Sequence, residues 1–200
     1  ARDILRKLPS IDPLEPCIVV AGSPNVGKSA LISALSSGEP QVASYPFTTK
    51  QLHLGHFIHR RRAYQMVDTP GLLDRPMTER NPIEMQAIAA LEHLGDALVF
   101  LVDRSEDSNT SVSEQQNLLA EVRRLISERP IIVVSSKSDL LDPTEEVDGS
   151  RISAETGEGL EELRGDLIEI IAADKILDPL TLPENWPRDD EPLGSVGESG

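Results

Sequence analysis

The chain is poor in the residues that make aromatic cores, disulfides and membrane spans. Aromatics are only 3% of its 200 residues, so the core must be aliphatic. A lone cysteine, Cys17, excludes an internal disulfide, and its place inside an apolar run marks it as a small buried hydrophobe. No apolar run approaches the ~20 residues needed to cross a bilayer, and no secretory signal is read, so a cytoplasmic chain without a membrane partner is expected. Lysine is scarce, 5 against 14 arginines, and the formal net charge is −15. That charge argues against broad attraction to nucleic acid and leaves only a local patch for RNA contact. An acidic surface with few lysines fits a cytoplasm rich in salt.

The length suits one globular domain, here expected as a monomer over residues 14–173. Ala1 to Leu8 resemble the end of a helix cut off by Pro9, Pro13 and Pro16. Residues 1–13 are therefore expected to finish a helical region that starts upstream. From Asp174 the composition changes: residues 174–200 hold seven acidic residues and Pro179, Pro183, Pro187 and Pro192, and a disordered tail is expected. Trp186 is its candidate anchor.

Between those limits, apolar strand-like runs alternate with helical stripes. Cys17–Ala21, Ala97–Val102 and Ile131–Val134 read as buried parallel strands. Gln51–His59 alternates through Leu52, Leu54 and Ile58, and Ala63–Val67 follows after the turn residues Arg60, Arg61 and Arg62, read as a solvated hairpin tip. His53, His56 and His59 are three apart on that strand, so His56 faces away from the other two and no metal site is read there. Arg151-Ile152 suggests a short last strand. Helices are expected after Gly27, from Pro82 with Asn81 as N-cap, behind a Ser113/Gln116 capping box, and from Leu160. Residues 39–50 and Asp68 to Arg80 read as loops. The expected fold is α/β, a mostly parallel six-stranded sheet with helices on both faces.

Gly22-Ser23-Pro24-Asn25-Val26-Gly27-Lys28-Ser29 lies between the first strand and the first helix. In that setting the pattern is a phosphate-binding loop. Glycines let the backbone approach phosphate oxygens, which meet the N–H groups of Asn25 to Ala30 and a helix N-terminus. Lys28 reaches the β- and γ-phosphates, and Ser29 offers its hydroxyl to Mg²⁺. Val67-Asp68-Thr69-Pro70-Gly71 ends a strand downstream; Asp68 can hold Mg²⁺ through its water shell, and the Gly71 N–H can meet a γ-phosphate.

These two motifs identify a translation-factor-class GTPase domain by resemblance. Ala43-Ser44-Tyr45-Pro46-Phe47-Thr48-Thr49-Lys50 resembles the Obg-related branch. The run Asp68 to Pro76, with Glu79-Arg80-Asn81 and Ile83-Glu84-Met85-Gln86-Ala87, is similar to the Nog subfamily, the nucleolar GTP-binding proteins and their archaeal relatives. The resemblance covers roughly residues 14 to 172, and its helical region before the GTPase domain matches the upstream stub. It implies a switch that binds GTP and GDP and acts in maturation of the large ribosomal subunit, with that subunit or its rRNA as partner. It implies that Thr49 closes over Mg²⁺ and the γ-phosphate. Ser135-Ser136-Lys137-Ser138-Asp139 falls where a guanine-reading motif belongs, with Asp139 accepting from guanine N1 and N2 and the Lys137 stem on the base. Ser153-Ala154-Glu155 resembles the last motif, whose Ala154 N–H meets guanine O6. Lys28, Thr49 and Gly71 are then the groups at the reacting phosphate. Ser136 stands where the family has Asn, and Leu72 where some relatives place a water-orienting Gln. Guanine preference with weakened binding, and slow intrinsic hydrolysis, are the consequences. Asn25 matches the residue that holds a monovalent cation in K⁺-stimulated relatives, making K⁺ a candidate activator. The alternatives are a binding module with negligible turnover, an ATPase, and an Obg-related GTPase acting outside ribosome assembly.

Overall fold

Two strands of the computed structural model, β1 (Cys17–Ala21) and β5 (Ala97–Asp103), are buried along their whole length. The structure describes residues 11–12, 14–44, 51–68, 70–147 and 149–176. Their continuous apolar runs are what a strand covered on both faces requires. Alternate residues go to opposite sides. Cys17, Val19, Ala21, Leu98, Phe100 and Val102 enter one core cluster; Ile18, Val20, Ala97, Val99 and Leu101 enter the other.

Helices close both faces. The first cluster is sealed by Ile88 and Leu91 of α2 (Pro82–Leu94) and by Leu118, Leu119 and Val122 of α3 (Val112–Leu125). The second is sealed by Leu31, Ile32 and Leu35 of α1 (Lys28–Leu35) and by Leu163, Leu167 and Ile171 of α4 (Leu160–Ile176). Each buried aliphatic side chain contributes roughly 1.5–3 kcal/mol relative to exposure. Ile11 is also buried, in the first cluster.

Among the described residues the sheet has seven strands, not six, in the order β2-β3-β4-β1-β5-β6-β7. β1 runs parallel to β4 (Arg62–Asp68) and to β5, and β5, β6 (Ile131–Ser136) and β7 (Ser150–Arg151) are parallel. β3 (Gln51–His59) is antiparallel to β4. The extra strand is β2 (Gln41–Ser44), inside the segment expected as loop, antiparallel to β3. Four residues with an exposed Val42 carry no periodic signal; the open edge of β3 imposes the strand.

Three local readings also change. In β3, Leu52 and Leu54 are buried as expected, but Ile58 is 58% exposed and Phe57 is the buried anchor, stacked on Tyr64 with centroids 5.1 Å apart. Ile58 keeps the phase of Leu52 and Leu54 but is left without cover. Gly55 allows α1 to lie against β3, because a Cβ there would fall 2.2 Å from Ser36 Oγ. The capping box of α3 is Ser111 with Glu114, two residues before Ser113/Gln116. The Glu114 carboxylate both accepts the Ser111 N–H and lies at the positive end of the helix, which a glutamine cannot match. In α2, Asn81 and Pro82 form the expected start, whereas Glu84, which the sequence reading left out of it, is buried and completes the capping box with Asn81; Ile88 is buried in the first core cluster.

Candidate functional site

The loop from β1 to α1 turns through left-handed backbone at Gly22 (φ 135°), Asn25 (φ 64°) and Gly27 (φ 99°). At Gly22 a Cβ would lie 2.6 Å from the Leu101 carbonyl oxygen, so no other residue fits. Inside this loop the Lys28 ammonium is buried and donates to the Gly22 and Ser23 carbonyls, both at 2.9 Å. Burial holds Lys28 below the ordinary lysine range, opposed by the attraction of Asp68 and Asp74.

Strand β4 delivers Asp68 to the same place, beside β1. Ser29 Oγ donates to Asp68 Oδ2 at 3.1 Å. Asp68 is buried, and its Oδ1 has no hydrogen-bond partner among the described residues. Burial pushes its carboxyl above the usual carboxylate range, against the pull of Lys28, Ser29 and His53. A hydroxyl beside a carboxylate with a spare buried oxygen is a hard donor set that fits Mg²⁺. His53, set aside in the sequence, belongs to this corner: its Nδ1 is 3.1 Å from Ser29 Oγ and 3.7 Å from Asp68 Oδ2. A cleft of about 450 Å³ opens here, lined by Pro24, Asn25, Lys28, Ser29, Asp68 and Asp74 among others. Thr49, expected over the metal, lies outside the described residues, as do Thr48 and Trp186.

A second cleft of about 290 Å³ adjoins the first, sharing Gly27 and Ala30 with it. Val26, Ser136, Lys137, Asp139, Ala154 and Glu155 line it, so three separate segments of the sequence meet there. Lys137 stands in left-handed backbone (φ 55°, ψ 42°) after β6, and its Nζ pairs with Asp103 Oδ2 at 2.6 Å. Ser136 Oγ donates to the Val102 carbonyl at 3.3 Å. Asp139 is exposed at the cleft. Ser153 is fully buried and serves the loop: its hydroxyl accepts the Thr156 N–H at 3.1 Å. The neighbouring loops are tied by Ser138 Oγ on Glu158 Oε2 at 2.5 Å and the Ser138 N–H on the Ile152 carbonyl. A larger groove of about 680 Å³ beside α3 and β6 contains none of the motif residues.

The sequence reading missed the residues that brace these clefts. Asp103 closes β5 and takes Lys137. Gln115, fully buried on α3, accepts the Asp103 N–H at 2.8 Å and donates to the Asp103 and Thr110 carbonyls at 2.7 and 2.9 Å. After Gly71, Asp74 Oδ2 accepts the Gly71 N–H at 2.7 Å, and the buried Arg80 donates to the Gly71 and Arg75 carbonyls. Arg75 pairs with Glu84 of the α2 capping box at 3.0 Å. Leu72 is wholly buried in the first core cluster. Only the pattern Asp-x-x-x-x-x-Arg after the glycine, which has no regular period, could have signalled the Asp74–Arg80 pairing.

With that geometry in place, comparison with known proteins is decisive. A family model described as 50S ribosome-binding GTPase matches residues 17–137. The chain belongs to that GTPase family. Nucleolar GTP-binding protein 1 of Drosophila melanogaster is 42% identical over 142 residues, 71% of this chain and 22% of its own length. An uncharacterised protein of the archaeon Methanocaldococcus jannaschii is 47% identical over 142 residues, 71% of this chain and 39% of its own. The chain thus spans about a fifth to two fifths of these relatives. A crystal structure from Plasmodium falciparum, described as nucleolar GTP-binding protein 1, superposes with a TM-score of 0.74 at 33% identity, over 84% of this chain and 92% of that one. The T. maritima FeoB G domain (TM-score 0.62, 24% identity, 78% and 98% covered) shares the fold. The sequence resemblance to Nog-type proteins and the GTPase-domain fold both hold, and no helix among the described residues is long and apolar enough to cross a membrane.

Proposed function

We propose that this GTPase domain binds Mg-GTP, hydrolyses it slowly, and acts as a switch in assembly of the large ribosomal subunit. The observation that carries the reading is the meeting of the two clefts at Gly27 and Ala30, with Lys28 at one end and Asp139 at the other. Lys28 lies in the loop as a fixed positive charge for the β- and γ-phosphates, desolvated and therefore strong. Asn25 to Ala30 supply backbone donors around those phosphates. At the other end Asp139 accepts from guanine N1 and N2, groups adenine does not offer. Lys137, held by Asp103, lays its stem on the base, and the Ala154 N–H meets O6. Ser136 is tied to Val102 and Ser153 to its own loop, so both shape the base cleft from behind, and Glu155 rims it.

Ser29 and Asp68, joined by Thr49, would hold Mg²⁺, which neutralises phosphate charge when bound. K⁺ beside Asn25 is the proposed activating ion. Equal turnover in KCl and NaCl would remove that ion from the account. Leu72 has no group to position water and is sealed in the core, so acceleration must come from the ion or a partner. The same buried leucine favours a second reading, a nucleotide-dependent binding module with negligible turnover.

The family description and the names of the relatives support the large ribosomal subunit as partner. The compartment then follows the subunit, nucleolar as the eukaryotic relatives are named, or the cytoplasm in a cell without a nucleus. Purified large subunits added to a GTP hydrolysis assay test the switch. Stimulated turnover supports it. Nucleotide-dependent docking without turnover supports the binding module. Absence of both effects would overturn the ribosomal assignment.

A further inference from the structure

Both backbone polar groups of Gly71 are held. Its N–H donates to Asp74 Oδ2 at 2.7 Å, and its carbonyl accepts from Arg80 Nη1. The Arg80 side chain is 0% exposed; its Nη2 lies 3.7 Å from Asp74 Oδ1 and donates to the Arg75 carbonyl at 2.7 Å. Asp74 also lines the phosphate cleft beside Lys28, Ser29 and Asp68. Its charge is felt by both Lys28 and Asp68.

We propose that Asp74 sets the preference between nucleotide diphosphate and triphosphate, because its carboxylate competes with the terminal phosphate for the Gly71 N–H. The inference rests on the proposed reading, in which that N–H meets the γ-phosphate. One amide hydrogen makes one good hydrogen bond, so two anions cannot share it. They also repel each other across a partly buried cleft. A triphosphate must therefore displace Asp74 from Gly71 and part it from Arg80, whereas a diphosphate leaves the contact intact. The device favours GDP and makes rearrangement of residues 70–80 conditional on the third phosphate. Arg80 and the Arg75–Glu84 pair connect the same movement to the start of α2.

The test measures Kd for GDP and for a non-hydrolysable GTP analogue, with Mg²⁺, on the wild-type chain and on Asp74→Ala and Asp74→Asn. Both are read by displacement of a fluorescent GDP analogue. Removing the competing carboxylate should raise affinity for the GTP analogue about tenfold while leaving GDP nearly unchanged. Asp74→Asn keeps an acceptor for Gly71 but not the charge, so it should shift the ratio the same way by less. If Asp74→Ala does not melt as a folded protein, Asp74→Asn decides. A ratio that stays put, with both affinities moving together, reduces Asp74 to a turn residue and overturns the proposal. A ratio moving toward GDP overturns it as well. Failure of the wild-type chain to bind either guanine nucleotide would instead defeat the parent reading.

Discussion

Gln115→Leu should unseat the brace behind the base cleft. The side chain is fully buried and makes three contacts under 3.0 Å: the Asp103 N–H on Oε1, and Nε2 on the Asp103 and Thr110 carbonyls. Leucine has similar volume and makes none of them. A buried N–H left without a partner costs about 1–3 kcal/mol, and the two carbonyls add less because each has a second lone pair. A total of roughly 2–4 kcal/mol follows. At about 2–4 °C per kcal/mol for a domain of this size, the melting midpoint should fall by roughly 5–15 °C. Because Asp103 holds Lys137 at 2.6 Å, guanine-nucleotide affinity should fall in the same variant. Circular-dichroism melting and nucleotide titration read the two effects. A midpoint within about 2 °C of wild type would show that the Gln115 bonds are replaced by water and that the bracing argument is wrong.

Asp139→Asn should lower guanine-nucleotide affinity by about 10–100-fold and gain binding of xanthine nucleotides, whose exocyclic oxygen accepts where guanine donates. Unchanged GDP affinity would take Asp139 out of the site. The Ser111 hydroxyl and N–H hold the Glu114 carboxyl below the usual glutamate range. A depressed folded-state value stabilises above the unfolded pKa and is lost as pH falls through the folded one. The stability gap between wild type and Glu114→Gln should therefore close in acid, and a gap constant with pH would contradict the capping assignment. With a net charge of −15, the melting midpoint should rise in molar KCl; a falling midpoint would remove the salt-rich setting.

The parts of the fold legible in sequence were those with local causes. β1 and β5 announce burial on both faces by unbroken apolar runs, and Asn81-Pro82 announces a helix start by hydrogen-bond chemistry alone. The phosphate loop was legible for the same reason, since Gly22, Gly27, Lys28 and Ser29 act within eight residues. β2 was not, because its strand state comes from pairing with β3 rather than from its own residues. The start of α3 was misplaced because Ser113/Gln116 also has the form of a capping box, and only the carboxylate's interaction with the helix end favours Ser111/Glu114. Asp103 and Lys137 are 34 positions apart, so their pairing exists only once β5 and β6 are adjacent. His53 was read by strand parity, which tells its face but not that Ser29 waits there.

The central claim, a guanine-nucleotide site spanning the two clefts, is tested most directly by displacement of a fluorescent GDP analogue with GDP, GTP and ATP in KCl buffer with Mg²⁺. GDP and GTP should compete at micromolar concentration and ATP should not, which would show Asp139 reading guanine with Ser136 in place of Asn. Equal competition by ATP, or no binding at all, would contradict the account.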